Sequence, residues 1–136
     1  MNKPVLCLDF DGVLHSYTSG WKGAAFIPDP PVPGAMAFLA AMVDRFDVVI
    51  HSTRNHHDYG IAAICDWLRF HLTAYLGSAP AATLVVRKIH FPVVKPPAFL
   101  TLDDRAWTFT GRFPSYEEIA AFRPWYQREA VHGDVA

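Results

Sequence analysis

Four short apolar runs, each stopped abruptly by polar residues, punctuate the chain. Val5-Leu6-Cys7-Leu8 ends at Asp9, Phe46-Asp47-Val48-Val49-Ile50 at His51-Ser52, and Phe99-Leu100-Thr101-Leu102 at Asp103-Asp104. Ala82-Thr83-Leu84-Val85-Val86 reads as another such run. Continuous apolar stretches of this length fit strands buried on both faces, as in a parallel sheet. Trp107-Thr108-Phe109 predicts a short additional edge strand.

Between the runs the period changes. Met36, Leu39, Ala40 and Val43 repeat at i, i+3, i+4 and i+7 behind Pro33 and Gly34, which predicts a helix with Pro33 in its first turn. Ile61, Ile64, Cys65, Leu68 and Leu72 repeat in the same way, with Asp58 as the expected N-cap. Ser115-Tyr116-Glu117-Glu118 fits a capping box ahead of Ile119 and Phe122. Strands alternating with helices predict an α/β protein, a three-layer Rossmann-like fold with a mainly parallel central sheet. Segment 14–33 follows neither period; Gly20, Gly23 and four prolines among aromatic residues predict an ordered flap. Residues 77–80 and 92–97 are expected as shorter loops.

Length and composition narrow the class. A chain of 136 residues predicts one domain, taken as 1–128, with 129–136 expected as a flexible tail. Half of the residues are apolar, enough for a buried core. The formal net charge of -1 advertises no nucleic-acid-binding face, although a phosphorylated nucleic-acid end stays admissible as a substrate. Cys7 and Cys65 lack metal-type spacing and read as reduced core residues. The N-terminal apolar run is too short for a signal segment, and no stretch approaches the ~20 apolar residues that span a bilayer. The expectation is a soluble, cytoplasmic protein.

Position gives the polar stops their meaning. In an open parallel sheet the carboxyl ends of the strands line one edge, and ligands bind in the crevice there. Asp9 and Asp11, Ser52, and Asp103 with Asp104 would meet at that edge. Four neighbouring carboxylates repel unless a cation neutralises them, and hard oxygen donors of this kind favour Mg²⁺.

The motifs DFDGVL, VVIHS and KPPAFLTLDD, in this order, resemble those of the haloacid dehalogenase-like hydrolase superfamily, over about the first 105 residues. The resemblance implies that Asp9 is the nucleophile, forming an aspartyl-phosphate, and that Asp11 is the general acid and base. It implies Mg²⁺ held by the Asp9 carboxylate, the Asp11 main-chain carbonyl and Asp103, with Asp104 a ligand or a water-mediated partner. Ser52 and Lys95 would contact the phosphoryl group, with Thr53 beside them; Arg54 reads equally as a grip on a substrate anion or as a solvated or carboxylate-paired arginine. Lys88 competes with Lys95, and the KPPA context favours Lys95. Gly12 would let the backbone turn tightly towards the phosphate. The flap and the short second interval leave no room for a cap domain. The chain is thus similar to a minimal, capless phosphatase, whose open site suits a macromolecular substrate or cover by oligomerisation.

Other readings accompany this one. A phospho-acceptor receiver module uses similar residues but would place its acceptor Asp after a middle strand. A metal-dependent nuclease would need no Asp nucleophile, and a catalytically silent binding protein would have no need of the full motif set. His51, His56 and His57 suggest zinc, but the adjacent His56 and His57 diverge and no further ligand pattern completes a site. Arg105 is expected to brace the acidic loop. Trp21 and Phe26 are expected chiefly to pack at the flap base.

Overall fold

The computed structural model describes residues 2–127; the expected 129–136 tail lies outside them. Four parallel strands form the sheet: β1 (Val5–Leu8), β2 (Asp47–Ile50), β3 (Ile89–His90) and β4 (Leu100–Leu102), in the order β3-β2-β1-β4. Helices α1 (Ala35–Met42), α2 (Gly60–Leu76) and α3 (Ala79–Arg87) intervene, and α4 (Tyr116–Ala120) follows. The three-layer α/β class predicted by the alternation is the one observed.

β1 and β2 are in register from Val5 opposite Asp47 to Leu8 opposite Ile50, and β4 pairs on the other side of β1. Successive strands therefore run outward to β3, and the chain then returns to the far side of β1. That reversal places a crevice between the carboxyl ends of β1 and β4.

The helices form where apolar spacing lets them bury one face. In α2, Ile64, Leu68 and Leu72 are fully buried with Trp67 beside them, and Gly77 ends the helix at a φ of 72°. Each such aliphatic side chain contributes about 1.5–3 kcal/mol of burial. Asp58 does not cap α2: Tyr59, at a φ of 64°, precedes it, and Gly60 presses against the Arg54 backbone. A Cβ on Gly60 would stand 2.8 Å from the Arg54 carbonyl carbon, so only glycine allows this approach. The capping box at Ser115 forms as its pattern predicts, the Ser115 hydroxyl accepting from the Glu118 N–H and the Glu118 carboxylate from the Ser115 N–H.

Two expected strands are absent. Residues 82–86 belong to α3, begun by the Ser78 side chain and a proline in its first turn. Ala82, Val86 and, beyond the helix, Ile89 are buried while Leu84 is 57% exposed, a helical rather than an alternating pattern. The third strand is the shorter Ile89–His90 just beyond. Residues 107–109 are irregular, with Trp107 and Phe109 about half exposed. Among the described residues no helix is long and apolar enough to cross a membrane.

Candidate active site

β1 delivers Asp9 to the crevice, where its N–H donates to the Leu102 carbonyl of β4 at 2.9 Å. The chain then winds sharply: the Phe10 carbonyl accepts from the N–H groups of Leu14 at 2.9 Å and His15 at 3.0 Å. Segment 14–33 leaves from this turn and is closed at its base, where Ser16 donates to Pro30 and Val32 to Leu14.

Asp9, Asp103 and Asp104 each present an oxygen within 4.8 Å of the others. Burial first, then a hydrogen bond to Asp104 and the charges of Asp103 and Asp104, push the Asp9 pKa up to about 8 against the lowering effect of the Phe10 N–H. Such a cluster is relieved by a proton or by a cation, and its hard oxygen donors suit Mg²⁺. Gly12 makes room for it: its φ is 83°, and a Cβ there would lie 2.7 Å from the Asp104 carboxyl carbon. The Arg105 N–H steadies Asp103 at 2.8 Å, while the Arg105 guanidinium reaches the Tyr126 hydroxyl. The Trp125 indole N–H donates to the Gly12 carbonyl at 2.7 Å.

Asp11 turns away from this trio into a separate network. Its carboxylate accepts from His15 Nδ1 at 2.8 Å and from Arg54 Nε and Nη2 at 3.0 Å. Burial would raise its pKa, but the hydrogen bonds from His15 and Arg54 and their charges more than offset that and lower it. Arg54, expected beside the phosphate, is fully buried. Its Nη1 donates to the flap carbonyls of Gly23, Ala24 and Phe26, and the Trp21 ring covers its guanidinium carbon at 4.9 Å. Trp21 stacks on Arg54 yet remains 46% exposed, and Phe26 is 65% exposed, so neither is sunk into the flap base as expected.

Ser52 lies two residues beyond β2, 2% exposed, with its Oγ accepting from the Arg54 N–H at 3.1 Å. It caps the 3-10 turn Thr53–His56, in which Thr53 is exposed. Lys95 is exposed on the loop between β3 and β4. Burial raises the Cys7 thiol pKa, and the charge of Lys95 opposes this. Lys88 precedes β3, at the opposite edge of the sheet, and pairs with Asp44 at 2.8 Å. His51 approaches the Val93 carbonyl at 3.3 Å and His57 lies beside Trp21; the acidic trio is the metal-type cluster found among the described residues.

Two residues of this site escape a sequence reading. His15 is buried against Asp11, and Asn55 donates from Nδ2 to the Ile50 and Pro92 carbonyls at 2.9 and 2.8 Å, tying β2 to the loop that carries Lys95. The four-residue spacing of Asp11 and His15 was the available signal for the first; nothing local marks the second. A cavity of about 450 Å³ is lined by Tyr17, Ser19, Arg105 and Tyr126 among others, and by none of the four carboxylates. A larger one of about 620 Å³ lies on the flap and α2 face, around Tyr59, Trp67 and Phe70, and includes none of the crevice residues.

No family model matches the chain, no curated protein matches its sequence, and no solved structure matches its fold.

Proposed function

We propose that this protein is a Mg²⁺-dependent phosphohydrolase that cleaves phosphomonoesters through an aspartyl-phosphate on Asp9. The observation that carries this reading is the convergence of Asp9, Asp103 and Asp104 within 4.8 Å at the sheet reversal, with Asp11 held separately two positions on.

Asp9, Asp103 and Asp104 would hold the cation, and any contact from Asp11 falls to its main-chain carbonyl, because its carboxylate is engaged by His15 and Arg54. Mg²⁺ supplies charge neutralisation for the phosphoryl oxygens and lets Asp9 ionise. Asp9 attacks phosphorus; Asp11, whose carboxylate His15 and Arg54 hold below the ordinary range, acts as the base that takes a proton from the water that hydrolyses the intermediate, and would have to leave that pairing to protonate the leaving oxygen first. The Ser52 hydroxyl, whose oxygen already accepts from Arg54, keeps its proton for a phosphoryl oxygen, and Lys95 adds positive charge from the facing loop. Positioning and charge stabilisation are the main requirements of phosphoryl transfer. Free cysteines at positions 7 and 65 suit a reducing, cytoplasmic compartment.

The test is hydrolysis of p-nitrophenyl phosphate with and without Mg²⁺. Activity that needs Mg²⁺ and vanishes in Asp9→Asn supports the reading. Full activity in Asp9→Asn overturns the covalent route, and a long-lived acyl-phosphate without turnover favours a receiver.

A further inference from the structure

We propose that the cavity between flap turn 17–20 and Arg105 is the leaving-group subsite, and that it takes phosphomonoesters whose leaving group carries a second anion, a phosphate or a carboxylate. This inference deepens the phosphohydrolase reading above and rests on it.

One wall of the cavity is a flap turn fixed before any ligand arrives. The Gly20 N–H donates to the Tyr17 carbonyl at 3.1 Å, and both residues lie in the left-handed region, Tyr17 at a φ of 61° and Gly20 at 75°. That backbone is strained for a bulky side chain and persists only where the surroundings over-determine it. Asp29, itself buried, supplies the constraint: its carboxylate accepts from the Ser19 N–H at 2.7 Å and from the Ser19 hydroxyl. The Tyr17 ring is thereby set edge-on to His15, 5.9 Å between ring centres, and to Tyr126 at 6.2 Å.

The opposite wall joins the acidic trio. A Cβ on Gly12 would stand 2.7 Å from the Asp104 carboxyl carbon and 3.0 Å from the Tyr126 ring, so both side chains lie over the same side of Gly12. Tyr126 therefore borders the trio through Asp104 and also lines the cavity. Arg105 follows Asp104 directly and steadies Asp103 with its main-chain N–H, which leaves its side chain for the cavity. There the guanidinium reaches the Tyr126 hydroxyl at 3.4 Å, and among the described residues no carboxylate pairs with it. Arg54, by contrast, is already engaged by Asp11 and the flap carbonyls.

This lining selects a chemistry. A guanidinium stays charged and presents its N–H groups in a planar fork that matches phosphate and carboxylate oxygens. An anion gains a charge-assisted hydrogen bond there, about twice as strong as the one a neutral group gains. Thr18, Ser19 and Gln127 make the remaining lining polar, which disfavours an apolar leaving group. The Tyr17 and Tyr126 rings stand at 83° to each other, so they form no slot for a flat one. The volume of about 450 Å³ falls within the range of small-ligand sites.

The experiment measures kcat and KM with Mg²⁺ for three esters that share a three-carbon leaving group: n-propyl phosphate, 3-phosphooxypropanoate and propane-1,3-diyl bisphosphate. They end in a methyl group, a carboxylate and a second phosphate, so the last two separate the two sources of the anion. Wild type is compared with Arg105→Gln, which keeps the main-chain N–H to Asp103 and loses the charge, and with Arg105→Lys, which keeps the charge. In wild type at least one anionic substrate is expected to exceed n-propyl phosphate by about 10–100-fold in kcat/KM, chiefly through KM. Arg105→Gln should bring the substrates level, and Arg105→Lys should keep part of the preference. Equal values for the three substrates in wild type overturn the subsite. So does a preference that survives Arg105→Gln, even where all three rates fall together, since that marks a merely structural arginine. Wild type inactive on all three and on p-nitrophenyl phosphate overturns the phosphohydrolase reading and the subsite with it. Wild type active on p-nitrophenyl phosphate with no anionic preference overturns the subsite alone.

Discussion

Arg54 Nε and Nη2 grip the Asp11 carboxylate across 43 positions of sequence while Nη1 of the same guanidinium holds the flap at Gly23, Ala24 and Phe26. One buried cation thereby joins the first motif, the second motif and the loop between them. Arg54→Ala would leave Asp11 unpaired and three flap carbonyls without their donor, and is expected to cost about 3–5 kcal/mol of stability. Urea unfolding measures the loss. Limited proteolysis should then cut the flap near residue 23 before the sheet, and a flap as resistant as in wild type would contradict the joining role.

Gly12→Ala tests the packing of the acidic trio. The new methyl enters the left-handed backbone region, at about 1–2 kcal/mol, and collides with Asp104. The expected outcome is a lower Tm together with weaker Mg²⁺ dependence in the phosphatase assay. Unchanged behaviour in both would show that Asp104 moves aside without consequence.

The acidic trio also sets a pH dependence. The Asp9 pKa is raised to about 8, chiefly by burial and then by Asp104 and Asp103, so the metal-free folded protein binds a proton there that the unfolded chain releases near its ordinary 3.8. The stability this site contributes is complete below that ordinary value and is lost as pH rises through about 8. In chelator, Tm is expected to fall across that window; Mg²⁺, replacing the proton, should remove the fall, and Asp9→Asn should abolish it. A Tm in chelator that climbs over the window would refute this.

The two lysines should separate cleanly. Lys95→Ala is expected to lower kcat/KM by about 10²-fold, as loss of one charge-stabilising group does. Lys88→Ala removes only an exposed pair with Asp44 and should leave both Tm and activity unchanged. Kinetics that reverse this order would move the phosphate-facing charge to the other lysine.

Much of this arrangement was legible along the chain because strand ends are local signals. Val5 to Leu8, Val48 to Ile50 and Leu100 to Leu102 are uninterrupted apolar runs, so the residues that stop them fall at one edge of the sheet. Leu84-Val85-Val86 misleads because a short apolar run has no period of its own; the Ser78 cap and the helical spacing of Ala82 and Val86 decide it. Arg54 illustrates the other limit. An arginine after a strand reads equally as a substrate-facing or a carboxylate-paired cation; the pairing with Asp11 was among those readings, but its carbonyl partners at 23, 24 and 26 carry no side-chain pattern. His15 is hidden in the same way, since only folding brings the Asp29 N–H to its Nε2.

The contact between Trp125 and Gly12 spans 113 positions, among the most distant pairings in the molecule. Closing so long a loop costs only slowly growing entropy, but contacts of such high separation form late. The sheet and flap can therefore assemble while the Gly12 carbonyl still faces water, and the crevice matures in a final docking event. A kinetic phase in indole fluorescence, absent in Trp125→Phe and following the main far-ultraviolet change, would be the signature of that order.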